Sequence, residues 1–305
     1  MRKLSIVFVI LLTAILGHEL WEAYQNTPPE PEAGTSLGRP VFDLPPSTAN
    51  DRNSPSAVAL DSRKRDGKPW PKSTFRLGSF NIHGGVGLDE RQDFDRTTEC
   101  LHDLDVVTLN EVHGQFPSDR SDQAAQLGKR LDMEWLFAPA DVQWYYRGFG
   151  NGLLTKAPVA FWQWIPLPRR SDPSYRNMVL ANLEFCDAKN RPTTVHLLLT
   201  HVNQRYNADR HAQLQSVIAM YLALAEPAIL TGDFNSTADD PEIQRLLHTP
   251  GVSDVVGEKS TVKMPERIDW IFVRGLRCTQ AGIRKNVASD HPLVWAELEL
   301  PRSKW

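Results

Sequence analysis

From residue 75 onward, short apolar runs alternate with stretches whose apolar residues recur at helical spacing, the mark of a domain mixing strands with helices. Strands are predicted at 75–80, 106–109, 151–154, 159–164, 179–185, 195–200, 228–230, 268–273 and 293–300. The run at 106–109 lacks alternation, so it reads as buried on both faces. Helices are predicted at about 95–104, 122–132, 209–225 and 240–248. The third has Leu214, Val217, Ile218, Tyr221 and Leu222 at helical spacing, and Asp209 stands where an N-cap is expected.

Polar residues fall at the ends of these strands. Asn81 ends the first, Asn110 and Glu111 the second, His201 and Asn203 that at 195–200, and Gly232-Asp233-Phe234-Asn235 that at 228–230. Strand ends on one rim of a sheet converge, and binding residues gather on the loops there. Any one of these residues could be a turn former or a cap. The repetition from strand to strand points to a common site.

Glu111, Asp233, Asp269 and Asp290 are hard oxygen donors, with Asn81 and Asn235 as neutral oxygens beside them. Oxygen-rich sites suit magnesium, manganese or calcium, and magnesium needs only one or two carboxylates. His291 directly follows Asp290, and His201 lies at a strand end. Imidazoles near carboxylates can hold a proton or face a phosphoryl oxygen. The set therefore fits phosphoryl chemistry, which needs an in-line nucleophile and neutralised oxygens. There is no GxSxG for a serine hydrolase and no GxxxxGK[ST] for a nucleotide-driven motor.

The net charge of −3 over 305 residues lowers the case for tight, non-specific grip on a long polyanion. Three cysteines without CxxC spacing read as buried thiols rather than a zinc site. At the N-terminus, Arg2 and Lys3 precede an apolar stretch at 4–16, which predicts a signal peptide or signal anchor over residues 1–24. A proline-rich stretch at 25–74 predicts an extended linker, and 75–303 the catalytic domain. The expected location is outside the cytoplasm, periplasmic or extracellular, with the chain tethered to the membrane if the segment stays uncleaved.

Phe80-Asn81-Ile82, Leu109-Asn110-Glu111-Val112, Thr200-His201, Gly232-Asp233-Phe234-Asn235, Ile268-Asp269-Trp270-Ile271 and Ser289-Asp290-His291 occur in the order and spacing of the endonuclease/exonuclease/phosphatase superfamily, which the chain resembles over about residues 75–300. The group includes pancreatic deoxyribonuclease and neutral sphingomyelinases. The resemblance implies an α+β fold, a four-layer α/β/β/α sandwich of two packed mixed β-sheets flanked by helices. It implies Glu111 as principal metal ligand, helped by Asn81, with Asp290 as a second ligand. It implies that Asp233 orients the attacking water, Asn235 fixes the phosphate, His201 contacts a phosphate oxygen, and Asp269 sits near metal and histidine. His291 would stabilise the pentavalent phosphorus or act as acid or base. Asn151 and Arg176 match substrate-side positions. Some members carry an aspartate two residues after the first asparagine; here that place is His83.

The expectation is a monomeric hydrolase dependent on magnesium or manganese, acting on a phosphodiester as an endonuclease or exonuclease. A phospholipid or phosphoinositide esterase of the sphingomyelinase type is the alternative, and a non-catalytic envelope binding protein a further one. The aromatic run Trp144-Tyr145-Tyr146, with Arg147 and Phe149, could stack a base or meet a lipid headgroup, or simply pack as a hairpin.

Overall fold

A computed structural model describes residues 32–34, 68–114, 122–140, 142–143, 146–170 and 175–301, with only the backbone at 32–34, 142–143 and 146–147. The expected signal segment at 1–24, most of the expected linker and the side chains of the 144–147 run lie outside the described residues.

In chain order the strands begin with β1 (Glu32–Gly34), β2 (Thr74–Asn81), β3 (Val106–His113), β4 (Glu134–Pro139), β5 (Val142–Gln143), β6 (Tyr146–Arg147) and β7 (Phe149–Thr155). They continue with β8 (Val159–Pro166), β9 (Asn177–Cys186), β10 (Pro192–His201) and β11 (Ala228–Asp233). The last are β12 (Ser253–Asp254), β13 (Asp269–Arg274), β14 (Arg277–Arg284) and β15 (Leu293–Glu299). The α-helices are α1 (Phe94–Leu101), α2 (Gln123–Leu131), α3 (Asn207–Ala223), α4 (Pro241–Leu247) and α5 (Val255–Lys259), with a 3-10 turn at His83–Gly85.

The strands form a six-stranded sheet, β14-β15-β2-β3-β7-β4, a seven-stranded sheet, β1-β8-β9-β10-β11-β13-β12, and a separate two-stranded ribbon, β5-β6. Each of the two larger sheets is antiparallel except for one central pair, β2 with β3 and β10 with β11. Both parallel pairs are bridged by a helix, α1 in one and α3 in the other, as a parallel crossover requires. The two sheets thus carry the same βαβ plan with antiparallel strands on either side.

Strand periodicity explains the layers. On β2, Phe75 and Leu77 face the other sheet, while Phe80 faces the helices. The inter-sheet core gathers Phe75, Leu77 and Val106 with Leu197, Leu199, Ile229 and Ile271. Outside the first sheet, Leu101 of α1 and Leu127 of α2 pack on Phe80, Val107 and Leu109. Outside the second, Leu214, Val217 and Tyr221 of α3 and Leu246 of α4 pack on Leu198, Leu230 and Phe272. This is the four-layer sandwich that the resemblance implies.

Several local expectations change. Asp209 is not the cap of α3: the N-cap is Tyr206, and Asp209 lies in the first turn with its carboxylate accepting from Arg170 N at 2.7 Å. Asn203 does the local work instead, its Oδ1 accepting from Tyr206 N at 2.8 Å. The expected linker has fixed points at both ends. Glu32–Gly34 pairs antiparallel with Trp162–Trp164 of β8, and Trp70 packs at a tilt against Phe185, ring centroids 5.8 Å apart, and exchanges backbone hydrogen bonds with Glu184 and Cys186. The cysteines are free thiols; Cys186 is buried, whereas Cys100 and Cys278 are half-buried.

Candidate functional site

The inner faces of the two sheets change character along their strands. Phe75 and Leu77 give way to Ser79 and Asn81, Val106 to Thr108 and Asn110, and Leu197 and Leu199 to His201. Ile229 leads to Thr231 and Asp233, and Val273 and Ile271 lead back to Asp269. The greasy core between the sheets therefore ends in a polar floor at one rim. Thr108 and Thr231 meet at the boundary, with hydroxyl oxygens 3.4 Å apart across the sheets.

Asn110 ties this floor together. Its Oδ1 accepts from Asp233 N at 2.9 Å, and its Nδ2 donates to Asn151 Oδ1 at 2.7 Å and Thr200 O at 3.0 Å. Asn151 passes the chain on, donating to Asn177 Oδ1 at 2.7 Å, and Asn177 donates to Pro139 O at 2.8 Å. All three amides are buried. Asn151, the expected substrate contact, thus spends both ends of its amide inside the protein. Sequence marked Asn110 only as a strand end and did not mark Asn177 at all, because a buried strand asparagine announces no partner until the sheets stack.

Asp233 is held between the two sheets. Its Oδ1 accepts from Asn235 N at 2.9 Å and its Oδ2 from Asn81 Nδ2 at 3.0 Å. Gly232 makes this approach feasible: its φ is +133°, and a Cβ there would meet Thr200 O at 1.9 Å. The same Asn81 Nδ2 donates to Glu111 Oε1 at 3.1 Å, while Asn81 Oδ1 accepts from His83 N at 3.1 Å. Asn81 so turns its donor, not its oxygen, toward the carboxylates. Glu111 and Asn235 both sit in the left-handed region, with φ of 55° and 47°. Such backbone costs about 1 kcal/mol or more for a non-glycine residue and clusters at functional sites.

His291 Nδ1 lies 2.8 Å from Asp269 Oδ2, and its Nε2 is 3.7 Å from Asp233 Oδ2. Ser289 positions this segment, its hydroxyl donating to Asn81 O at 2.7 Å and accepting from His291 N at 3.1 Å. Burial alone would lower the His291 imidazole. The hydrogen bond to Asp269 and the charges of Asp269, Asp233 and Asp290 overcome it and push its pKa up to about 9. Burial first, then repulsion from Asp269, raises Asp233 to about 7. Burial also raises Asp269, against the hydrogen bond with His291.

His201 is buried beside this group, 3.2 Å from Asn235 Nδ2 and 3.6 Å from Asp233 Oδ2. Burial, with Arg176 and His291 nearby, holds it well below its ordinary value, so it stays neutral. Phe149 packs edge-on against its ring, and the Arg176 guanidinium lies 4.7 Å above Phe149. Arg176 therefore stands at the His201 side of the site. Asp290 is set apart: its side chain is 55 % exposed and faces outward, 3.8 Å from His83 Nδ1.

The donor set fits a divalent cation. Asp233, Asp269 and His291 place ligand-type atoms within 4.8 Å of one another, and Glu111 shares the Asn81 amide with Asp233. Asp269 Oδ1 is buried with no hydrogen-bond partner among the described residues. Carboxylates this close repel one another, and a cation relieves that repulsion.

The model of the Endonuclease/Exonuclease/phosphatase family matches residues 78–291, which includes every residue of this site. A search of curated proteins finds no significant match. Among solved structures, an endonuclease/exonuclease/phosphatase from Beutenbergia cavernae superposes with a TM-score of 0.60 at 21 % identity, over 75 % of this chain and 72 % of its own. One from Bacteroides vulgatus gives 0.60 at 20 % identity, over 75 % of this chain and 100 % of its own. The Bacteroides thetaiotaomicron mannosyl-6-phosphatase gives 0.55 at 17 % identity, over 73 % and 99 %. At these identities the structures speak for the fold, and the family match for the rest. With a metal-compatible cluster of carboxylates and histidines at the open end of a two-sheet sandwich, the chain belongs to the endonuclease/exonuclease/phosphatase family and is a metal-dependent phosphoester hydrolase.

Proposed function

We propose that this protein is a phosphodiesterase of the nuclease type, dependent on magnesium or manganese, that works outside the cytoplasm as a monomer. The observation that carries the reading is the Asp269–His291 pair at 2.8 Å, facing Asp233 across the Asn81 amide. It supplies a protonated imidazole and a basic carboxylate on either side of one small space.

A divalent cation taken by Glu111 and Asp290, the carboxylates more open to solvent, would neutralise charge on a phosphoryl oxygen. Asp233, poised near 7, takes the proton of the attacking water. Its orientation is set by Asn235 N on one oxygen and Asn81 on the other. Asn235 Nδ2 donates to Val202 O at 3.0 Å and lies 3.2 Å from neutral His201 Nε2, so the two side chains are fixed together on the side of the site where a second phosphoryl oxygen would be met once substrate displaces their mutual contact. His291, kept charged by Asp269, protonates or hydrogen-bonds the oxygen where charge builds. A diester carries one negative charge and a monoester about two, so a site lined by Glu111, Asp233, Asp269 and Asp290 favours the diester.

A second reading, a phospholipid esterase, is favoured by one feature. Leu88 and Val287 are 63 % and 60 % exposed, and Leu88 N donates to Val287 O at 3.1 Å. They make an apolar foot on the loops that carry His83 and Asp290. The basic and apolar N-terminus, Arg2-Lys3 followed by residues 4–16, supports export with a membrane tether. The deciding experiment assays the full-length protein with magnesium or manganese on DNA, RNA, sphingomyelin and phosphoinositides. EDTA-sensitive cleavage of nucleic acid is expected; cleavage of lipid alone selects the second reading, and no EDTA-sensitive cleavage of any ester overturns both.

A further inference from the structure

We propose that Arg267 is a positioning residue for the hydrolysis: a buried guanidinium, clamped by Asp254, that fixes the peptide at Asp269 and so aims the Asp269 carboxylate at His291. This rests on the catalytic role given above to the Asp269–His291 pair, and it names what holds that pair in place.

The Asp269 carboxylate does little to orient itself. Its Oδ2 meets His291 Nδ1 at 2.8 Å, while its buried Oδ1 has no hydrogen-bond partner among the described residues. A carboxylate bonded through one oxygen can turn about its side-chain torsions, so its direction has to come from the backbone. On the β11 side that backbone is secured, because Asp233 is the register partner of Asp269 and Phe234 N donates to Ile268 O at 2.9 Å. Carbonyls alternate along a strand, so Asp269 O points to the opposite edge. There β12 pairs only with Phe272 and Val273 and stops short of it. Arg267 takes the place of the missing strand, its Nη1 donating to Asp269 O at 3.0 Å.

Arg267 is itself held on several sides. It is 6 % exposed, its Nη2 donates to Asp254 Oδ2 at 2.5 Å, and its guanidinium carbon lies 3.9 Å from the centre of the Trp270 ring. Asp254 is fixed in turn as the N-cap of α5, its Oδ1 accepting from Gly257 N at 3.1 Å. Only a glycine allows this approach, since a Cβ at residue 257 would meet Asp254 Oδ2 at 2.2 Å. Trp270 donates from Nε1 to Ser236 O at 2.9 Å, next to Asn235. The guanidinium thus braces the start of β13 against the segment that carries Asp233 and Asn235. Burying an ion pair carries a desolvation cost, and apolar side chains of similar volume can fill such a space without loss of stability. What they could not supply is the second arm of the fork, which ends on the Asp269 peptide.

The test uses the full-length protein. Arg267→Met removes both arms, Arg267→Lys keeps the charge without the fork, and Asp254→Asn loosens the clamp. Arg267→Met leaves Asp254 without its cation, so Arg267→Met/Asp254→Asn serves if the single variant does not fold. Urea denaturation reads stability separately. Hydrolysis of bis(para-nitrophenyl) phosphate with manganese gives kcat and KM, and imidazole nitrogen–proton spectra of the metal-free protein report the His291 Nδ1–H. In Arg267→Met kcat is expected to fall about 10- to 100-fold while KM changes by less than about twofold, as for a reacting group displaced by about 1 Å. The His291 Nδ1–H signal should move upfield or vanish, with Arg267→Lys and Asp254→Asn in between. Folded variants with wild-type kcat and an unmoved imidazole signal overturn the positioning role and leave Arg267 a purely structural residue. Absence of manganese-dependent hydrolysis by the wild type overturns the hydrolytic reading instead, and the imidazole signal still decides whether Arg267 holds the pair.

Discussion

The two sheets contribute unlike halves to one site, although each is built on the same βαβ plan. The seven-stranded sheet supplies His201, Asp233 and Asp269, all buried, with Asp233 only 1 % exposed. The six-stranded sheet and its loops supply Glu111 and Asp290, which are partly or largely open to solvent. Burial changes the proton affinities of the first group. The comparison teaches a difference in environment: a dry floor shifts proton affinities, and a wet rim leaves its carboxylates open to solvent, which in the proposed reaction is where ion and substrate would arrive. Asn81 and Asn110 join the halves by bonding across the gap.

The largest effects should come from the floor and from His291, which a loop of the six-stranded sheet sets against it. Asp233→Asn and His291→Gln are each expected to lower kcat on the order of a thousandfold, and added metal should not restore it. Rescue of either by high manganese would place that residue with the rim. Glu111→Gln should behave oppositely. Its apparent metal affinity is expected to fall about 10- to 100-fold while kcat at saturating metal recovers much of its value.

The join is tested by stability. Asn110→Ala leaves Asp233 N, Asn151 Oδ1 and Thr200 O without their partner, and each buried orphan costs about 1–3 kcal/mol. Urea denaturation should show a loss of about 3 kcal/mol; a loss below about 1 kcal/mol would mean that the sheets are registered by their apolar core alone.

The smallest effect is in pH dependence of the metal-free protein. The folded pKa of His291 is about 9, above the ordinary value of 6.5, so pairing with Asp269 adds stability fully below pH 6.5. That contribution fades as pH rises through 9. The stability gap between wild type and Asp269→Asn should close over this window. NMR titration should place His291 near 9 in the wild type and markedly lower in Asp269→Asn. A gap that stays constant with pH would mean that the pair does not share a proton as described.

Much of this was legible along the chain, and the failures have identifiable causes. The central strands stood out because their apolar runs are bounded by polar strand ends. The edge strand β14, Arg-Cys-Thr-Gln-Ala-Gly-Ile-Arg, escaped notice because much of its length faces solvent and little apolar pattern is required of it. Strand β4, Glu-Trp-Leu-Phe-Ala-Pro, escaped for the opposite reason: nearly every position is buried, so no alternation marks it. Asp209 looked like a helix cap because sequence shows its neighbours but not the loop at Arg170 that its carboxylate holds.

By itself the sequence determined the kinds of donor and the strand ends at which they stand, since both follow from local pattern and residue chemistry. It also determined that His83 occupies the turn after Asn81. Only the tertiary structure decided which donors share an environment. Stacking the two inner faces buried Asp233, Asp269 and His201 together, shifted their proton affinities, and committed Asn110 and Asn151 to holding the sheets in register. Asp290, next to His291 in the chain, was left outside facing His83. Neighbours in sequence share a place along a strand, but dielectric environment and hydrogen-bond partners depend on what packs opposite.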